Sequence, residues 1–168
     1  MKKNIFFLLL AFFSLTVFSQ SIKPIDVVDI ISSSASKKTA DGTEITLTIK
    51  LNIKKSWHIN ANQPLEENLI ATVLKLDESP DFTVEKITYP QPELMKLSQL
   101  SENELALYIE QATITVLLKV AKNVKKETLK ITGKVKYQPC NDQICLFPVE
   151  KQFEVKVMLK EIGTGIKG

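Results

Sequence analysis

The sequence contains no arginine. All 22 of its basic residues are lysines, so the planar bidentate fork that recognises phosphate, carboxylate or guanine is missing. Genomic base composition is reason enough for that absence, and the chemical consequence holds whatever the cause. Against 19 acidic residues the net charge is only +3, and it falls to +1 once Lys2 and Lys3 are removed with the N-terminal segment. That balance leaves no electrostatic footprint for nucleic acid. Histidine is scarce too, with His58 standing alone. A zinc centre takes three or four His, Cys or acidic ligands. One His and two Cys at these spacings do not suggest one, so no metal and no organic cofactor are expected. A Cys–His hydrolase pairing is conceivable on paper, but His58 reads more simply as a structural residue beside Trp57, near a strand end.

What is present is ordinary for a globular domain: 168 residues, 44% hydrophobic and 24% charged. Disorder, collagen and multi-pass membrane classes are excluded on those numbers. The length fits one domain, whose core needs no disulfide to be adequate. One phosphate-loop lookalike can be set aside. Gly163-Thr164-Gly165-Ile166-Lys167-Gly168 spells G-x-G-x-x-G at the end of the sequence, with no helix after it to hold a nucleotide. Residues 161–168 read as a loose tail.

Residues 1–19 read as a secretory signal peptide. Lys2 and Lys3 form a positive start, and Ile5 to Phe18 is a 14-residue run interrupted only by Ser14 and Thr16. That is short of the about 20 apolar residues of a membrane span and fits a signal core. Val17 and Ser19 supply small residues for a cut before Gln20. The remainder, residues 20–168, is then one domain without membrane insertion, periplasmic or secreted, in a compartment where disulfides persist.

The dominant period beyond the signal is two. Ile45, Leu47, Ile49, Leu51 and Ile53 alternate with Glu44, Thr46, Thr48, Lys50 and Asn52. Successive strand side chains point to opposite faces, so this segment has one core face and one wet face. The same alternation covers 129–137, 153–159, 114–120 and 105–109, with weaker strands at 24–31, 69–76 and 82–89. In the last, Phe82 and Val84 are out of phase with Ile87 and Tyr89, which predicts a bulge. Breaks fall at 32–42, 60–67, 77–81, 90–103 and 121–126, and Leu94 to Leu97 could form at most one helical turn. Seven or eight antiparallel strands predict an immunoglobulin-like β-sandwich, an all-β fold.

The strongest chemical signal is Cys140-Asn141-Asp142-Gln143-Ile144-Cys145, which holds both cysteines of the chain. In an oxidising compartment they pair or stay reactive. As a staple the pair would be poor, because closing a six-residue loop is worth about 2 kcal/mol, against ~4–5 for a loop of 100 residues. A short loop at the rim of a sandwich is also where a disulfide is reached by another thiolate. Pro139 and Pro148 restrict the flanking backbone. Tyr137 and Phe147 could shelter the sulfurs, and Lys136 and Lys151 could favour a thiolate that Asp142 opposes. Spacing alone leaves both a redox-active pair and a structural staple open, the latter in an immunoglobulin-like binding module. Cysteines serving as ligands in metal delivery or cytochrome maturation are a third option.

Tyr137-Gln138-Pro139-Cys140 followed by Cys145-Leu146-Phe147-Pro148 resembles the active-site segment of the periplasmic N-terminal domain of the thiol:disulfide interchange protein DsbD. Trp57-His58-Ile59-Asn60 and Asn62-Gln63-Pro64 resemble an upstream motif of the same family, and the resemblance spans roughly residues 25–160. It implies an immunoglobulin-like sandwich with a redox-active cysteine pair that takes electrons from a thioredoxin-like domain and passes them to thiol proteins, including disulfide isomerases and cytochrome c maturation factors. By that analogy Cys145 attacks the partner's disulfide and Cys140 resolves the mixed disulfide. The resemblance also implies a cap loop over the pair, with counterparts here in Glu93, Leu94, Met95 and Leu97. The family's better-known members have one more residue between the cysteines. No membrane channel or thioredoxin domain follows in this sequence, so electrons would come from a separate membrane reductase.

Overall fold

A computed structural model describes residues 26–159, so the expected signal peptide and the 161–168 tail lie outside the described residues. Eleven strands and no helix make up the described chain. In order they are β1 Val28–Thr39, β2 Gly42–Ile53, β3 His58–Asn60, β4 Val73–Leu76, β5 Phe82–Thr88, β6 Glu93–Lys96, β7 Glu104–Ile109, β8 Gln111–Val120, β9 Thr128–Tyr137, β10 Pro139–Cys140 and β11 Val149–Met158. They form three antiparallel sheets, ordered β1-β2-β8-β5, β10-β3-β7-β6 and β11-β9-β4. The architecture is an immunoglobulin-like β-sandwich.

The alternating residues make the core. Ile45, Leu47, Ile49 and Leu51 of β2 are fully buried, as are Ala112, Ile114, Val116 and Leu118 of β8. They join one cluster with Leu129, Ile131, Val135 and Tyr137 of β9, Phe153, Val155 and Val157 of β11, and Ile59, Ala106 and Tyr108 from the small sheet. At about 25 cal/mol per Å² of apolar surface removed from water, this inner face is the main stabilising term. The expected bulge is present: the register of β5 on β8 shifts between Val84 and Lys86.

Three expectations change. The Ser-rich stretch from Ser32 to Thr39, read as a break, continues β1 in register against β2 up to the Thr39–Gly42 pair. Its inward positions carry Ser instead of apolar residues, and the hydroxyls serve another purpose. Ser32 Oγ donates to the Glu154 carbonyl at 3.2 Å and Ser36 Oγ to the Met158 carbonyl at 2.7 Å. Edge strand β1 is thereby tied to edge strand β11. The segment around Leu94, read as at most a turn of helix, is strand β6, paired with β7 from Glu93–Leu107 to Lys96–Glu104. Strands β3 and β10 were not foreseen, because a two- or three-residue strand carries no period.

Among the described residues, two other than glycine adopt left-handed backbone conformations, Ser56 with φ 66° and Glu110 with φ 52°. Each sits where the chain leaves one sheet for another. Ser56 lies between β2 and β3, and Glu110 separates β7 from β8 as the only intervening residue. Such φ values cost roughly 1–2 kcal/mol in a residue with a Cβ. The Glu110 corner is held by its carbonyl, which accepts from Ile53 N at 2.7 Å. These two corners bring β3 and β7 side by side.

Gly133 occupies the middle of β9, opposite Phe153 of β11 and Leu76 of β4. A Cβ added there would come within 2.6 Å of the Lys75 carbonyl oxygen and 2.9 Å of Phe153 Cζ. The first neighbour is backbone of an adjacent strand and cannot swing away. Gly133→Ala is therefore expected to destabilise the domain by about 1–3 kcal/mol through overpacking. Thermal unfolding followed by far-UV circular dichroism checks this, and an unchanged midpoint would contradict it.

Candidate functional site

The two motifs singled out in the sequence meet in space. Strand β10 pairs with β3, placing Pro139 opposite Ile59 and Cys140 opposite His58. Strand β3 in turn pairs with β7, placing His58 opposite Ile109 and Asn60 opposite Leu107. Cross-strand partners share a face. Ile59, Tyr108 and Ala106 therefore point into the main core, which they join. Cys140, His58, Asn60 and Leu107 share the other face, and all four are buried there, at 0%, 4%, 1% and 0% exposure.

A polar network locks this arrangement. Gln138 Oε1 accepts from Asn60 Nδ2 and from the Ile70 amide, both at 3.1 Å. Gln138 Nε2 donates to the Leu146 carbonyl at 3.2 Å, and Asn60 Nδ2 also donates to the Ile70 carbonyl at 3.1 Å. Thr72 Oγ1 donates to the Asn60 carbonyl at 2.5 Å. The Gln138 amide thus joins the segment before the cysteines, the loop after β3 and the residue following Cys145. Asn62, from the same upstream motif, accepts from Tyr108 Oη at 2.7 Å. Buried polar groups joined in this way specify one geometry, because each lost partner strands another group.

The cysteine loop has its own local cause. Asn141 Oδ1 accepts from the amides of Gln143 and Ile144, both at 2.9 Å, an Asx turn. The Asn141 amide donates to the Ile144 carbonyl at 2.9 Å and the Leu146 amide to the Pro139 carbonyl at 2.8 Å. Cys140 and Cys145 thereby face each other across a tight hairpin, their Cα atoms 4.1 Å apart and their sulfurs bonded. The two are not equivalent. Cys140 is fully buried, whereas Cys145 is partly exposed. Beside Cys145, Ile144 is 52% and Phe147 92% exposed.

Several expected site residues lie elsewhere. A ring as exposed as that of Phe147 covers nothing, so it does not shelter the sulfurs. Tyr137 is fully buried in the main core, and its hydroxyl finds no hydrogen-bond partner. Burial, with Asp26 and Asp29 adding repulsion, pushes its pKa up to about 12. Lys151 is engaged away from the sulfurs. It pairs with Asp26 at 2.9 Å and donates to the Val28 carbonyl at 2.6 Å. The cap-loop candidates Glu93, Leu94 and Met95 belong to strand β6, with Leu97 just beyond its end. In the small sheet β6 and β10 occupy opposite edges, with β3 and β7 between them. At about 4.8 Å per strand step that separates the segment from Cys140 by roughly 14 Å. Leu94 is 59% exposed. The segment is ordered as strand, its backbone satisfied by β7.

His58 lies beside the cysteines, a placement that sequence reading did not foresee. It is the cross-strand partner of Cys140, and its Nε2 is buried without a hydrogen-bond partner. Burial holds its pKa below the ordinary 6.5, with the Asp142 carboxylate acting in the opposite direction. The imidazole is therefore neutral at pH 7. Its adjacency to Trp57 was the visible signal; its pairing with a cysteine 82 positions away was not. Among the described residues no cluster of three or more His, Cys, Asp or Glu could hold a metal ion, and no helix is long and apolar enough to cross a membrane.

The family model "Thiol:disulfide interchange protein DsbD, N-terminal" matches residues 29–157. Among solved structures, the N-terminal periplasmic domain of ScsB from Proteus mirabilis superposes with a TM-score of 0.51 at 12% identity, over 83% of this chain and 49% of that one. The chain thus spans about half the length of that structure. The reduced DsbD N-terminal domain of Neisseria meningitidis gives a TM-score of 0.45 at 15% identity, over 67% of this chain and 77% of that one. No curated protein matches the sequence. The likeness to ScsB shows a shared fold, and the family match covers most of the chain, from the second residue of β1 to the last but one of β11, with both cysteines inside it. This chain therefore belongs to the family of the N-terminal domain of the thiol:disulfide interchange protein DsbD.

Proposed function

We propose that the chain is an exported domain that carries reducing equivalents to thioredoxin-like proteins by thiol–disulfide exchange through Cys145 and Cys140. The observation that carries this reading is the unequal burial of the pair: Cys140 is closed off, and Cys145 reaches the surface. In the reduced protein only Cys145 can meet a partner. Its thiolate attacks one sulfur of the partner's disulfide, and the other partner sulfur leaves as a thiolate. Cys140 then attacks Cys145 Sγ, the intramolecular disulfide forms, and the second partner sulfur leaves with its electron pair. Two electrons move to the partner, and neither a metal nor an organic cofactor takes part. A separate membrane reductase restores the dithiol through a thioredoxin-like donor. Disulfide isomerases and cytochrome c maturation factors are the recipient class, in the periplasm, after removal of residues 1–19.

The surroundings of Cys145 suit a protein partner. Ile144 and Phe147 expose apolar surface on both sides of it, and aromatic anchors of this kind dominate interface energetics. A purely structural disulfide in a binding module has no need of this asymmetry.

Two outcomes are expected. Cys140→Ser, mixed with an oxidised thioredoxin-like protein after reduction, should accumulate a covalent mixed disulfide visible on a non-reducing gel, whereas Cys145→Ser should form none. Accumulation with Cys145→Ser instead would reverse the assigned roles. Phe147→Ser should slow exchange with that protein by about ten-fold, the equivalent of ~1.4 kcal/mol, and leave exchange with oxidised glutathione unchanged. Equal slowing with both would mean that Phe147 shapes the cysteine loop rather than the docking surface.

A further inference from the structure

We propose that His58 is the proton acceptor for Cys140 when that cysteine resolves the mixed disulfide. The inference rests on the exchange reading above and adds a catalytic residue to it.

The difficulty it addresses is physical. Cys140 is fully buried, and burial in apolar surroundings disfavours a thiolate. Only the thiolate attacks a disulfide sulfur. Neither lysine that the sequence offered is engaged with the pair: Lys151 is committed to Asp26 and the Val28 carbonyl, and Lys136 is exposed on β9 opposite Glu150. Resolution at the inner cysteine therefore needs a local base.

His58 is placed to be that base. It is paired directly with Cys140, on the same face of the small sheet. Cβ atoms of such partners lie about 4.5–5.5 Å apart, within reach for an imidazole and a thiol. Its Nε2 is buried and unpartnered while the sulfur is held in the disulfide. A buried ring nitrogen left without a partner costs about 1–3 kcal/mol, and reduction of Cys140 supplies the missing donor as an S–H group. Asp142, in the turn between the cysteines, is the charged group whose field reaches His58. Cys140 and Ile109, its strand partners on either side, bring no charge. Burial keeps the ring neutral at pH 7, the form that can accept a proton.

The step balances. The Cys140 thiol proton passes to His58 Nε2 as the sulfur attacks Cys145 Sγ. The Cys140–Cys145 bond forms, the Cys145–partner bond breaks, and the partner sulfur leaves as a thiolate with the electron pair. The imidazolium then gives its proton to solvent or to the departing thiolate.

Stopped-flow reaction of the reduced protein with dithiobis-nitrobenzoate separates the two half-steps, because each releases one coloured thiolate. The first phase reports attack by Cys145 and the second reports resolution by Cys140. In His58→Gln the second phase should slow about ten-fold or more, while the first phase and the melting temperature stay unchanged. In the unaltered protein the second phase should hold its rate as pH falls from about 8 towards 6.5. It should drop only below the ordinary histidine value, as His58 becomes protonated. An unaided thiol would instead lose about ten-fold per pH unit below its pKa of ~8.5, and that profile in the second phase would overturn the proposal without any variant. Equal second phases with and without His58 would also overturn it, as would joint slowing of both phases with a lowered melting temperature. If the unaltered protein gives no second phase at all, the failure belongs to the role assigned to Cys140 and not to His58 alone.

Discussion

The pairing of Pro139–Cys140 with His58–Ile59 is the constraint on which the rest of the site depends. Only two residues of β10 join the sheet, too few to hold by backbone bonds alone. Gln138 makes up the difference, bonding to Asn60, Ile70 and Leu146 at once. The consequence is an asymmetric disulfide, with one sulfur fixed against a buried sheet face and the other on a hairpin that reaches solvent. A loop disulfide without this anchor would expose both sulfurs equally and have no preferred outer atom. The unequal burial of the cysteines follows from secondary structure rather than from any difference in their chemistry.

The sandwich contributes rigidity and placement. Its core draws on all three sheets, so β3 and β7 cannot shift without disturbing Ile59, Ala106 and Tyr108 in the common cluster. The left-handed corners at Ser56 and Glu110 cost energy. In return, the chain passes from the large sheet to the small one at Ser56 and back again at Glu110, with β3 beside β10. Sites built on strands hold their geometry more tightly than sites on loops. Here the inner cysteine and its histidine neighbour are on strands, and the outer cysteine lies outside them, joined to Cys140 by an isolated antiparallel bridge.

Much of this was legible in the sequence. Alternation gave β9 to within a residue and β2 to within two, and it found β8 and β11 without their first three and four residues; the phase slip from Val84 to Ile87 marked a real bulge. The cysteine segment stood out by its spacing and flanks. What was hidden has a common reason. Strands β3, β6 and β10 are two to four residues long, and such strands exist because neighbours pair with them, not because of their own pattern. The outer half of β1 was hidden because Ser replaces the inward apolar residues and bonds across to β11. The ordering of the cap candidates Glu93, Leu94 and Met95 as strand was hidden for the same reason: sequence could not show that β7 would claim that backbone. The pairing of His58 with Cys140 was hidden because only the fold brings the two together.

The central claim is that the Cys140–Cys145 disulfide is made to be opened. Its reduction potential tests this most directly, through equilibration of the protein against a graded glutathione or dithiothreitol series with free thiols counted by mass-tagging. An exchanging pair gives a midpoint between about −270 and −180 mV, the range of thioredoxins to disulfide isomerases. A pair that stays oxidised below about −300 mV would be a structural staple and would contradict the account.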